Sequence, residues 1–193
     1  MTGNDIVDLA TAGAESNWKR RGFLQKIFTQ QEQQYILNAS IPDQMVWKLW
    51  SMKESAYKIH TRQYGGRFFA PQKLSCTLLN ETTGHVTINT VSYQTITYTA
   101  KYYIYSIARP EEYFTPDFHN CSFGIPSQHA GDQQKFIYEK LITDYAAIQR
   151  EDKENFIVLK EKNNVPYLYY EKEKIKIPVS ITHHGNYAAF TIY

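Results

Sequence analysis

The segment SMKESAYK, residues 51–58, sets a carboxylate and an ammonium four positions apart beside an apolar run. On a helix, Glu54 and Lys58 lie one turn apart on the same side. They fit a solvated ion pair contributing about 0.3–0.5 kcal/mol. They also fit one edge of a phosphate-handling site. Lys53 bears on the choice. On the same wheel Val46, Leu49, Trp50, Ala56 and Tyr57 form the core-facing side, with Lys53 in its middle. Glu54, Lys58 and Trp47 gather on the flank, where a helix borders a cleft. An ammonium inside an apolar stripe must meet an anion, because an unpaired buried charge loses its hydration. A carboxylate or phosphate is therefore expected beside Lys53.

The elements that position these residues can be read along the chain. GNDIVDL reads as a strand with Asp5 and Val7 on one face. Thr29 and Glu32 have capping-box spacing and open a helix, and a second helix runs from Pro42 past His60 without internal glycine or proline. From Leu74 to Ala108, β-branched and aromatic residues alternate as a meander of about three strands. The proline- and glycine-bearing stretch that follows reads as loop, with a linker at 111–119 between units 1–110 and 120–193. A helix from Asp132 to Gln149 precedes four strands, NFIVLK, VPYLYY, IPVSITHH and YAAFTIY. CTLLNETTGHVTI matches FIVLKEKNNVPYL in pattern, and YYIYSIA matches YAAFTIY, as a diverged internal duplication would.

The chain has 193 residues, 42% of them hydrophobic, enough for one good core or two small ones packed as halves. Its 21 basic and 19 acidic side chains are too evenly balanced for a general nucleic-acid binder. Any basic surface for a partner must be local. Cys76 and Cys121 stand apart without metal-ligand spacing, no apolar leader is evident, and no apolar run approaches the roughly 20 residues of a membrane span. These features read as a cytoplasmic protein with free thiols. Sixteen tyrosines and ten phenylalanines point to a substantial β component.

GNDIVDL followed by WSMKESAYK resembles the paired signature of the 4′-phosphopantetheinyl transferase superfamily. NNVPYLYY and VSITHHGNYAAF are similar to the Pro-Tyr turn and the Ser-Ile-Ser/Thr-His strand of holo-acyl carrier protein synthases, and GFLQKIFTQQE looks like the segment between that family's two motifs. The resemblance covers residues 3–60 and 163–192. It implies an α+β fold of two similar half-modules, each a small antiparallel sheet packed with helices, related by a pseudo-twofold. It also implies transfer of phosphopantetheine from coenzyme A to a serine of an acyl or peptidyl carrier protein, with magnesium, as in fatty acid or polyketide biosynthesis. Asp5 and Glu54 match the metal ligands, and Lys58 the phosphate-contacting lysine one turn on. Glu54, directly or through a metal-bound water, is the nearest base for the serine proton, while Lys53 matches the lysine before the metal glutamate. Ser180, Thr182 and His183 fall on the strand that holds the nucleotide end of coenzyme A; His184 has no equally firm counterpart. Lys19, Arg20 and Arg21 match the basic dock for an acidic carrier protein, or else form a solvated charge run. Arg62, Arg67 and Lys73 are available to the 3′-phosphate of coenzyme A.

Two departures stand out. Val7 occupies the position where longer relatives often place a third carboxylate, and the metal motif lies in the first half with the nucleotide motif in the second, the reverse of the usual long-form order. The length implies a monomer with an internal pseudo-dimer and one site between the halves. The departures also fit a non-catalytic homologue that binds coenzyme A or a carrier protein. A third reading, a β-rich carbohydrate or peptide binder, rests on the aromatic content alone.

Overall fold

The computed structural model describes residues 1–66, 68–111, 118–126, 129–161, 164–171 and 175–193. The elements are β1 (Gly3–Asp8), α1 (Leu9–Glu15), α2 (Phe23–Ile27), α3 (Gln30–Leu37), α4 (Pro42–Tyr64), β2 (Leu74–Leu78), β3 (Thr83–Ile88), β4 (Val91–Thr99) and β5 (Tyr103–Pro110). There follow β6 (His119–Gly124), α5 (Ala130–Gln149), β7 (Phe156–Lys160), β8 (Pro166–Tyr170), β9 (Ile175–His184) and β10 (Tyr187–Ile192). All strand pairings are antiparallel, in two five-stranded sheets ordered β1-β5-β4-β3-β2 and β6-β10-β9-β8-β7. One topology thus occurs twice, with helices after the first strand of each copy. The segments matched in sequence, β2–β3 with β7–β8 and β5 with β10, hold the same places in the two sheets. The architecture is α+β.

Alternation builds the cores. In the first half Val7, Ile104 and Ala108 face Val46, Leu49, Met52, Ala56 and Ile59 of α4. In the second, Val179, Phe190 and Ile192 meet Leu141 and Ala146 of α5. Ile6, Tyr105, Ile107 and Ala189 close the interface between sheets. Helix α4 lies very near β1 because position 3 is glycine. A Cβ there would overlap the Ser55 carbonyl oxygen and sit 2.9 Å from Ile59 Cγ1. Gly3→Ala should therefore cost about 1–3 kcal/mol in a denaturant titration and widen the gap between Asp5 and α4.

The structure departs from the sequence reading in the meander, in two helices and in one strand. The meander has four strands, not about three. Helices α1 and α2 are present in stretches left unassigned, α1 being capped by the Asp8 carboxylate, which accepts the amides of Ala10 (3.0 Å) and Thr11 (3.2 Å). Strand β6 runs through the stretch read as loop; its residues alternate weakly and none is fully buried. Of the expected linker 111–119, residues 112–117 lie outside the described residues, as does Arg67.

β1 is an edge strand, and its outer rim meets the face of the other sheet. The Asn4 amide donates to Ser180 Oγ (3.3 Å) and the Asp8 amide to His184 Nδ1 (2.9 Å), so side chains of β9 satisfy backbone donors that would otherwise be orphaned. The turn after β9 is held as well: Asp8 Oδ2 accepts from the Asn186 amide (3.0 Å) and Nδ2 (3.2 Å).

Candidate active site

Asp5 and Glu54 border one cleft of about 320 Å³, with Val7, Trp50, His183 and His184 among its walls. Asp5 is carried by β1, and its Oδ1 accepts from Lys58 Nζ at 3.4 Å and Thr182 Oγ1 at 3.3 Å. Lys58 reaches across to β1 for these contacts, donating also to the Asn4 carbonyl at 2.6 Å. It is an inter-element clasp, not a solvated pair with Glu54. The structure therefore brings together Asp5, Glu54, Lys58 and Thr182 from two elements of the first half and one of the second.

The electrostatics follow from this crowding. Burial pushes the Asp5 carboxyl above its ordinary pKa, and Lys58 opposes the shift. Burial, then the neighbouring Asp5 charge, pushes Glu54 up to about 7, Lys58 again opposing. Two neighbouring carboxylates that both resist ionisation, Asp5 through burial and Glu54 through burial and the Asp5 charge, are the donor set a divalent cation would neutralise. Val7 is buried, and among the described residues no three His, Cys, Asp or Glu side chains group as a metal cluster. A magnesium ion held by Asp5 and Glu54 would complete its shell from substrate oxygens and water, as this hard cation prefers. The donors fit.

The strand carrying the second motif divides its side chains. Ser180, Thr182 and His184 share the face that meets β1, and His183 lies on the other side of the pleat, exposed at the cleft rim. Ser180 is 1% exposed and turned to the Asn4 amide, away from the cleft. His184, which borders the cleft, accepts through Nδ1, so its proton sits on Nε2, 3.5 Å from Glu15 Oε2. It can donate into the cleft but has no free lone pair to act as a base. Partial burial, then the Lys58 charge, pushes His183 below the usual histidine pKa.

Several contributors escaped sequence reasoning. Glu54 and Trp50 also border a second groove of about 510 Å³ walled by Tyr57, Phe68 and Phe69. Its aromatic spacing is visible in the sequence, but its fold-back is not: the Phe68 amide donates to Tyr57 Oη at 2.9 Å. The anion required by Lys53 is Glu32, at 2.7 Å, with the carbonyls of Pro71 (2.9 Å) and Ile27 (3.1 Å) completing the ammonium's contacts. Lys19, Arg20 and Arg21 are exposed on the turn before α2, with Arg20 over the Phe23 ring at 5.4 Å; Phe23 itself lines the cleft. Arg62 donates to the Val179 carbonyl at 2.8 Å, and Lys73 is exposed.

Comparison with known proteins gives a family match and a likeness among solved structures. No curated protein matches the chain. A crystal structure of Thermotoga maritima holo-[acyl-carrier-protein] synthase aligns with 86% of this chain and 83% of its own, at 11% identity and a TM-score of 0.45. The family profile matches residues 1–115, the segment that supplies Asp5 and Glu54 to the cleft and carries Lys58, and on that match the chain belongs to the 4′-phosphopantetheinyl transferase superfamily.

Proposed function

We propose that the chain transfers the 4′-phosphopantetheine group of coenzyme A to a serine of an acyl or peptidyl carrier protein, with magnesium. The observation that carries this reading is that Asp5 and Glu54 border one cleft, with the Lys58 ammonium 3.4 Å from Asp5, on a strand and a helix within the family-matched segment. A magnesium ion held by Asp5 and Glu54 would neutralise pyrophosphate charge and ease departure of the leaving group. Lys58, whose ammonium is already positioned beside Asp5, would turn donors to the phosphate oxygens. The serine oxygen forms the new bond to the phosphorus next to the pantetheine arm. The phosphoanhydride bond breaks, and adenosine 3′,5′-bisphosphate leaves with its electron pair. The serine proton passes to Glu54, directly or through a metal-bound water.

His183 at the rim and Thr182 beside Asp5 are the donors we assign to the nucleotide end. Ser180 supports that end indirectly, by holding β1. The halves 1–110 and 120–193 act as one pseudo-dimeric monomer, to be checked by size-exclusion chromatography with light scattering, where a trimer would contradict it. We place the activity in the cytoplasm, where the free thiols of Cys76 and Cys121 persist. No helix among the described residues is long and apolar enough to cross a membrane.

The direct test is incubation with coenzyme A, magnesium and several apo-carrier proteins, followed by mass spectrometry for the added phosphopantetheine. Addition to a serine supports the reading. Binding of coenzyme A without addition selects the non-catalytic homologue. Lys19, Arg20 and Arg21 are the proposed dock for the acidic carrier protein. Changing Lys19 and Arg20 to Glu should raise the KM for the carrier about tenfold and flatten its salt dependence, with kcat nearly unchanged.

A further inference from the structure

Because the sheets share one strand order, each position in one half has a counterpart in the other. Tyr103 and Tyr187, the first residues of β5 and β10, meet ring to ring at 4.8 Å across the interface and fix the correspondence. Counting on from them, Ser106 matches Phe190. Strand pairing then carries Asp5, opposite Ser106, onto Cys121, opposite Phe190. Cys121 faces α5 as Asp5 faces α4. On α5, Lys140 and Asp144 have the four-residue spacing of Glu54 and Lys58 and lie against Cys121.

We propose that Cys121, Lys140 and Asp144 are the counterpart of Asp5, Glu54 and Lys58: a second centre in which a thiol replaces the strand carboxylate, the helix charges are exchanged, and an internal ion pair shuts the site to a divalent cation. This rests on the reading of Asp5 and Glu54 as a metal pair. Lys140 Nζ engages both oxygens of Asp144, at 2.6 and 2.7 Å, with side chains 37% and 20% exposed. The other four-residue pair on this helix, Lys135 with Glu139, is looser at 3.9 Å and 77% and 63% exposed, as a solvated pair is. Burial raises the Cys121 thiol above its ordinary pKa, Lys140 opposing and Asp144 adding to the rise, so the thiol stays protonated and offers no thiolate to a cation. The consequence is one divalent ion per chain despite two equivalent frameworks, and a metal motif confined to the first half.

The test counts Mn²⁺ ions per chain by electron paramagnetic resonance. The parent should bind one. Cys121→Asp with Lys140→Glu and Asp144→Lys should bind two, and adding Asp5→Ala should return the count to one. A folded triple variant that still binds one ion overturns the proposal. So does a parent that binds two. A parent that binds none overturns the metal reading at Asp5 and Glu54, and this inference with it. Should the triple variant fail to fold, Cys121→Asp with Lys140→Gln leaves paired carboxylates at 121 and 144 with fewer changes and must gain the second ion.

Discussion

Glu54→Gln and Asp5→Ala should each slow phosphopantetheine transfer by roughly 10²–10⁴-fold, measured as carrier protein modified per unit time at saturating coenzyme A. Circular dichroism should show both variants folded, since neither side chain belongs to an apolar cluster. A parent-like rate in either would end the assignment. Glu54 carries a further signature in its pH dependence. Its folded-state pKa is raised from 4.5 to about 7, so the folded state holds the extra proton over that interval and stability falls as pH rises through it. The penalty is complete above about pH 7 and absent below the unfolded value. In metal-free buffer, Glu54→Gln should thus stabilise the protein at pH 8, by on the order of 2 kcal/mol after allowance for partial exposure, and not at pH 4. Urea titrations at the two pH values provide the check.

Glu32→Ala should destabilise the fold by about 3–5 kcal/mol, lowering the melting temperature by roughly 10 °C. Glu32 is fully buried. One oxygen accepts from Lys53 Nζ (2.7 Å) and the Thr29 amide (2.7 Å), the other from the Cys76 amide (2.6 Å). Its removal strands an ammonium that is 1% exposed and two backbone donors. Lys53→Met in the same chain should recover part of the loss, because the stranded charge is then gone; a double variant no more stable than Glu32→Ala alone would refute the pairing. Lys53 precedes Glu54, so the same network fixes the rotation of α4 that presents Glu54 to the cleft.

How much of this was legible in the sequence depended on how local the cause was. The helix carrying Glu54 and the strand carrying Asp5 follow from periodicity, and the capping box at Thr29 from spacing alone, its two bonds being present. Burial of Lys53 was legible as a demand for an anion. Glu32 as the answer was not, because it lies on another helix and also braces β2 through Cys76. Strand β6 escaped because its half-exposed residues need no alternation of polarity. In β9 the family resemblance marks Ser180, Thr182 and His183. The pleat sets Ser180 and Thr182 on one face with His184, and His183 on the other, a division that appears only once β1 lies against one side.

That contact has a consequence for how the molecule comes apart. β1 is knitted to its own sheet along one border and capped by side chains of the opposing sheet along the other. Pulling the halves apart would bare a naked strand border, ready to recruit a strand from any neighbouring molecule. Loss of order in either half thus withdraws support from the other, and the cleft should vanish in the same cooperative event as the fold.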